Sequence, residues 1–132
     1  MSRPIGLLIG AGRTGIGLAF AINPTQSMRF LGVDTATARR LAWLAQMTAA
    51  RDIALGLGTL TSTITGRGSA AWLLAGAACD AADAAAISAA CYRKDVTPIV
   101  AAAVVAAAAA ASATAVSEVL RGRRQPIVTA VT

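Results

Sequence analysis

The sequence predicts an all-α protein, a polytopic transmembrane four-helix bundle, and three observations carry that prediction. Four stretches, residues 5–22, 41–63, 69–91 and 97–120, are nearly free of charge, and each is close to the roughly 20 residues that span a bilayer as a helix. Apolar residues make up 56% of the 132-residue chain and charged residues 14%, whereas a soluble domain carries about a quarter charged residues. Breakers and charges lie between the stretches: Asn23-Pro24 after the first, Gly66-Arg67-Gly68 after the second, Tyr92-Arg93-Lys94-Asp95 before the fourth. A chain of this length holds one domain, drawn at residues 1–124, with a loose tail over 125–132.

The first stretch, IGLLIGAGRTGIG, contains Gly10-Ala11-Gly12-Arg13-Thr14-Gly15, the literal G-x-G-x-x-G spacing of a dinucleotide-binding turn. A soluble reading makes PIGLLI the first strand and RFLGVD the second, with Asp34 at the ribose position. It fails downstream, because nothing beyond Arg40 resembles a strand and a two-stranded parallel sheet buries too little. The same glycines have a simpler use in a membrane helix. Gly6, Gly10, Thr14, Gly17 and Ala21 recur every three or four residues and predict a small-residue packing face. Ala19-Phe20-Ala21 has the small-x-small pattern of a signal cleavage site; Arg13 inside the apolar segment favours retention as the first transmembrane helix.

The connection from Asn23 to Arg40 is the one long link, and Met28, Phe30, Leu31 and Val33 with Arg29 suit a segment lying along the membrane surface. Asp34 or Thr35 is the expected N-cap of the second helix, and Arg39 and Arg40 can snorkel at that interface. Trp43, Phe20, Phe30 and Tyr92 gather at one expected surface and Trp72 at the other, as an aromatic belt requires. Pro98 suits the first turn of the last helix, where its missing N–H is not needed. In that helix, AAAVVAAAAAASATA combines high helix propensity with almost no side-chain bulk, which predicts packing inside the bundle or against a partner. Arg121-Gly122-Arg123-Arg124 reads as a juxtamembrane basic cluster.

Any chemistry lies in Arg13, Arg51, Asp52, Asp80 and Asp83. Midpoints between flanking interfacial charges put Arg51, Asp52 and Asp80 at the bilayer centre, and Arg13 lies mid-way along residues 5–22. Each such residue costs roughly 2.5 to 3.5 kcal/mol at a helix centre, so five unpaired would cost on the order of 12 to 17 kcal/mol. Pairing is therefore expected. Asp80 and Asp83, three apart, share a helix face and suit a receiver for one or both arginines; Arg51 and Asp52, about 100° apart around the helix, are expected to serve different partners. Two cations face three carboxylates, so one carboxylate is expected to hold a proton. The network serves either as a polar clamp that sets helix register or as a proton or substrate site.

Other classes find little support. Eleven of the twelve cations are arginine, scattered singly or in pairs, not gathered into the stripe a nucleic-acid face needs. With no histidine and two cysteines, a metal or haem site has little to work with. Cys79 and Cys91 on one helix stand about 18 Å apart, beyond a disulfide. No catalytic set, cofactor motif or nucleotide site is expected.

Arg13 with Gly17, Asn23-Pro24, Phe30 with Gly32, AARDIALGLG at 49–58, Trp72 and DAAD at 80–83 together resemble an uncharacterised family of small bacterial four-helix membrane proteins, a domain of unknown function. The resemblance spans about residues 5–90 and implies a bacterial inner (cytoplasmic) membrane location without implying an activity. Four crossings put both termini on one side. That side would carry Arg3, Arg67, Arg121, Arg123 and Arg124, and the other Arg29, Arg39, Arg40, Arg93 and Lys94, an even division on which the positive-inside rule does not decide; the chain is read with cytoplasmic termini. Two functions are consistent with these features. One is an accessory or scaffold subunit contacting lipid and a larger membrane complex or further copies of itself. The other is a small proton-coupled carrier using the five charged residues.

Overall fold

The computed structural model describes residues 3–123; the tail expected over 125–132, and Arg124 of the basic cluster, lie outside them. Helix accounts for nearly all of these residues, in the order α1 (Arg3–Ile22), α2 (Pro24–Phe30), α3 (Thr35–Arg40), α4 (Ala42–Thr65), α5 (Ser69–Tyr92) and α6 (Pro98–Arg123), and no strand occurs among them. The G-x-G-x-x-G segment thus lies within one continuous helix, without the strand and turn that a phosphate cradle needs.

Six helices replace the expected four, because the link at 23–40 is itself helical. Asn23 caps α2 by accepting a hydrogen bond from the Gln26 N–H at 3.2 Å, with Pro24 in the first turn. Asp34 Oδ1 accepts from the N–H groups of Ala36 (2.9 Å) and Thr37 (3.1 Å), so the cap foreseen for the second long helix closes the short α3 instead. Leu41 separates α3 from α4, yet the ladder runs on through Leu41 N–H to Thr37 and Ala45 N–H to Leu41. Asp34 is held below the usual carboxylate range, first by a hydrogen bond from the Thr37 side chain and then by the Thr37 backbone. Such bonds favour the charged form.

The long helices form two antiparallel pairs and not a closed four-way bundle. In the first pair, α1 lies along α4 with its glycines against the partner backbone. A Cβ on Gly10 would stand 2.9 Å from the Gly56 carbonyl oxygen, and one on Gly17 would stand 2.9 Å from that of Ala49. Gly6, Gly10 and Gly17 are buried there, and the Thr14 hydroxyl donates to Gly10 O at 2.8 Å. Gly12 and Gly15 face open space. At the far end of this pair Arg3 donates to the Ile64 carbonyl at 3.1 Å.

In the second pair, α5 lies along α6. Leu73 packs with Ala115 and Val119, Ile9 and Ala77 border the cluster, and Ser112 donates to Ala77 O at 3.4 Å. The pairs meet along a narrower α4–α5 seam where Trp72 lies flat over Gly58. Much of α6 stays uncovered: Ala101, Ala115, Glu118 and Val119 are its buried residues among those whose burial is described.

Three helices, α1, α5 and α6, are long and apolar enough to cross a membrane; α4, as long as α5 but less apolar, is not among them. The exception is α4, whose centre carries Arg51-Asp52 and whose second half is rich in hydroxyls: Thr59, Thr61, Ser62, Thr63 and Thr65. Several of these satisfy themselves on carbonyls of their own helix, Thr59 on Leu55 and Ser62 on Thr59, a habit of serine and threonine in helices. The outward surface is apolar, with Leu8 74% and Ile99 82% exposed.

Candidate functional site

The five mid-helix charges form one connected network across α1, α4 and α5. Each stands near the middle of its helix, where no terminal backbone group competes for it. Arg13 Nη1 donates to Asp52 Oδ1 at 3.0 Å, and its Nη2 donates to both oxygens of Asp80 at 2.6 Å. Arg51 grips Asp83 in a two-pronged pair, Nη1 to Oδ1 at 2.9 Å and Nη2 to Oδ2 at 2.6 Å, and Nη2 also reaches Asp52 Oδ1 at 3.3 Å. Such paired forks use the planar guanidinium geometry fully.

Local sequence explains the reach of each group. Gly76 of α5 lies beneath the Arg13 guanidinium, where a Cβ would make an ordinary contact at 3.5 Å, and Asp80 stands one turn further on. The close α1–α4 approach at Gly10, Gly17 and Gly56 brings Arg13 within reach of Asp52. Asp80 and Asp83 do not share one arginine: each takes its own. Arg51 and Asp52, expected to part, do serve different main partners while also touching each other.

Burial grades across the network. The side chains of Arg13 and Asp80 are 13% and 12% exposed, whereas Arg51 and Asp83 are 31% and 39% exposed. Two guanidiniums meet three carboxylates. Asp52 Oδ2 accepts no hydrogen bond among the described residues, and Arg51 Nε is a buried donor without a partner. The two best-formed cavities, about 330 Å³ beside Cys91–Pro98 and about 380 Å³ beside Arg3 and Thr63–Ser69, lie at opposite ends of α5, away from the network.

One charged residue escaped the sequence reading. Glu118 of α6 is 1% exposed and accepts from Arg121 Nη1 at 2.9 Å. The Glu-x-x-Arg spacing was its available signal. Cys79 and Cys91, both on α5, are free and half-buried.

What the geometry can do chemically is limited and definite: three helices are cross-linked by ions at one level, with an open carboxylate oxygen at the centre and a half-exposed ion pair at one side. No family model, curated protein or solved structure matches the chain.

Proposed function

We propose that this chain is a small accessory or scaffold subunit of a larger membrane complex, seated in a bacterial inner membrane with its termini in the cytoplasm. The observation that carries this reading is that the five mid-helix charges pair with one another across three helices, with neither well-formed cavity beside them. Ions used to fix helix register need no access path, whereas a transported substrate does. The large uncovered apolar surface on α1 and α6 supports contact with lipid and with neighbouring helices. Gentle detergent extraction followed by native electrophoresis and mass spectrometry tests the proposal. Co-migration with a larger membrane assembly at fixed stoichiometry supports it; a chain that migrates alone at its own mass contradicts it.

A second reading, a proton-coupled carrier, draws on the surplus carboxylate and the open Asp52 Oδ2. It requires Asp80→Asn and Asp83→Asn proteins that fold normally yet lose pH-driven flux in reconstituted vesicles. Loss of assembly or expression alone favours the register clamp.

A further inference from the structure

The turn that joins α4 to α5 gathers donors that nothing among the described residues answers. A cavity of about 380 Å³ opens there, walled by Arg3, Thr63, Ile64, Thr65, Gly66 and Ser69, and no carboxylate is among them. Gly68 caps α5 at φ 72° and offers no side chain, so the helix starts without a side-chain cap. The N–H groups of Ser69 and Ala70 accordingly make no hydrogen bond among the described residues. Free N–H groups and the positive end of the dipole make the start of a long helix a place for an anion.

The side chains around this helix start carry the same chemistry. Thr61, Ser62 and Thr65 each donate to a carbonyl of their own helix, but the hydroxyl of Thr63, a residue only 5% exposed, is buried without a partner. A buried hydroxyl left unpaired is costly, and an acceptor entering the cavity that Thr63 lines supplies what it lacks. Arg3 gives one N–H to the Ile64 carbonyl at the end of α4 and forms no ion pair among the described residues, so its other guanidinium donors stay available. Guanidinium, hydroxyl and backbone N–H thus come to one cavity from α1, α4 and α5. Donors arriving from several directions suit a tetrahedral, negatively charged group with several oxygens. Both α1 and α5 are long and apolar enough to cross a membrane, and a cavity at their ends lies at headgroup depth. We infer that this cavity binds a phosphate group, carried by an anionic lipid headgroup or by a free phosphate. The site goes beyond the accessory-subunit reading and does not depend on it.

The test titrates the full chain, nitrogen-labelled and held in dodecyl maltoside micelles, with dioctanoyl phosphatidylglycerol, with inorganic phosphate, and with dioctanoylglycerol, which has the same acyl chains and no phosphate. Amide resonances of Ser69 and Ala70 shift and saturate with a phosphate-bearing probe and not with dioctanoylglycerol. Saturation by phosphatidylglycerol alone identifies the source as a headgroup; saturation by inorganic phosphate at similar concentration identifies it as free phosphate. Arg3→Gln and Thr63→Val each weaken binding about tenfold, as the loss of one hydrogen bond to a charged group does. Ser69→Asp puts a carboxylate in the first turn of α5, which favours the helix and repels phosphate, so binding is lost from a protein that still folds. Arg93→Gln, at the opposite end of α5, leaves binding unchanged. No shift with either phosphate-bearing probe, an equal shift with dioctanoylglycerol, or undiminished binding by Ser69→Asp overturns the inference and leaves the accessory reading to its own native-electrophoresis test.

Discussion

Replacing Arg13 by methionine removes three hydrogen bonds at once, one to Asp52 and two to Asp80. Asp80 then keeps no ion-pair partner among the described residues, and Asp52 keeps only the longer 3.3 Å contact with Arg51. Breaking a buried pair by removing one partner costs about 3–5 kcal/mol, whereas replacing both partners by apolar groups is often neutral or stabilising. Asp80→Leu alone should cost less than Arg13→Met, since Arg13 retains Asp52. The double variant Arg13→Met/Asp80→Leu should therefore be more stable than the sum of the singles by about 2–3 kcal/mol, the upper part of the range for contacting residues. An ordinary hydrogen bond between membrane helices averages only about 0.6 kcal/mol, so a coupling of that size marks an ionic contact. Unfolding by SDS titration in mixed micelles measures all four corners of the cycle. Additivity within about 0.5 kcal/mol would refute the claim that this pair holds α1 to α5.

The glycine face gives a paired expectation: Gly10→Ala pushes a methyl to 2.8 Å from Leu60 Cγ and should destabilise by about 1–3 kcal/mol, while Gly12→Ala, in open space, should be neutral or stabilising by up to about 1 kcal/mol, both read from the same titration. Asp34 has a depressed folded-state pKa, so its support of α3 is complete above the unfolded aspartate value and disappears as pH falls through the lower folded value; amide exchange at Ala36 and Thr37 against pH should show faster exchange only in that acidic window, and a loss near neutrality would count against the cap. Lys94 sits at φ 64° just past α5, a left-handed position that favours glycine, so Lys94→Gly should raise the unfolding midpoint; a lower midpoint would mean that the lysine side chain contributes more than the backbone costs.

The long helices were legible because hydropathy and punctuation agree. Pro98 opens α6, Thr97 Oγ1 accepts from the Val100 N–H at 3.4 Å, and Gly66 ends α4 with φ 72°, each a local signal with a local cause. The short helices were not legible, since seven residues in α2 and six in α3 are too few to display a period of 3.6. The five mid-helix charges could be singled out because apolar flanks isolate them. Which aspartate takes which arginine could not, because that depends on how far α1 sinks into α4 at Gly10, Gly17 and Gly56. Glu118 does not stand out in the sequence, because the alanine-rich α6 carries no hydrophobic periodicity from which to tell its buried face from its open one. The same uniformity concealed the two-pair arrangement, for an all-alanine surface does not say which neighbour it meets.

Immersion in hydrocarbon, with the ion network at mid-depth, is most directly tested by spin-label accessibility along α5. Ala71→Cys, Ala82→Cys and Ala89→Cys lie at exposed positions, with residue 82 beside the network and residue 71 about 16 Å away along the axis; the background carries Cys79→Ser and Cys91→Ser. In reconstituted bilayers, oxygen accessibility should peak and water-soluble nickel-complex accessibility should be lowest at residue 82, with the order reversing toward residues 71 and 89. Nickel accessibility that is uniform along the helix, or highest at residue 82, would contradict a network buried in lipid.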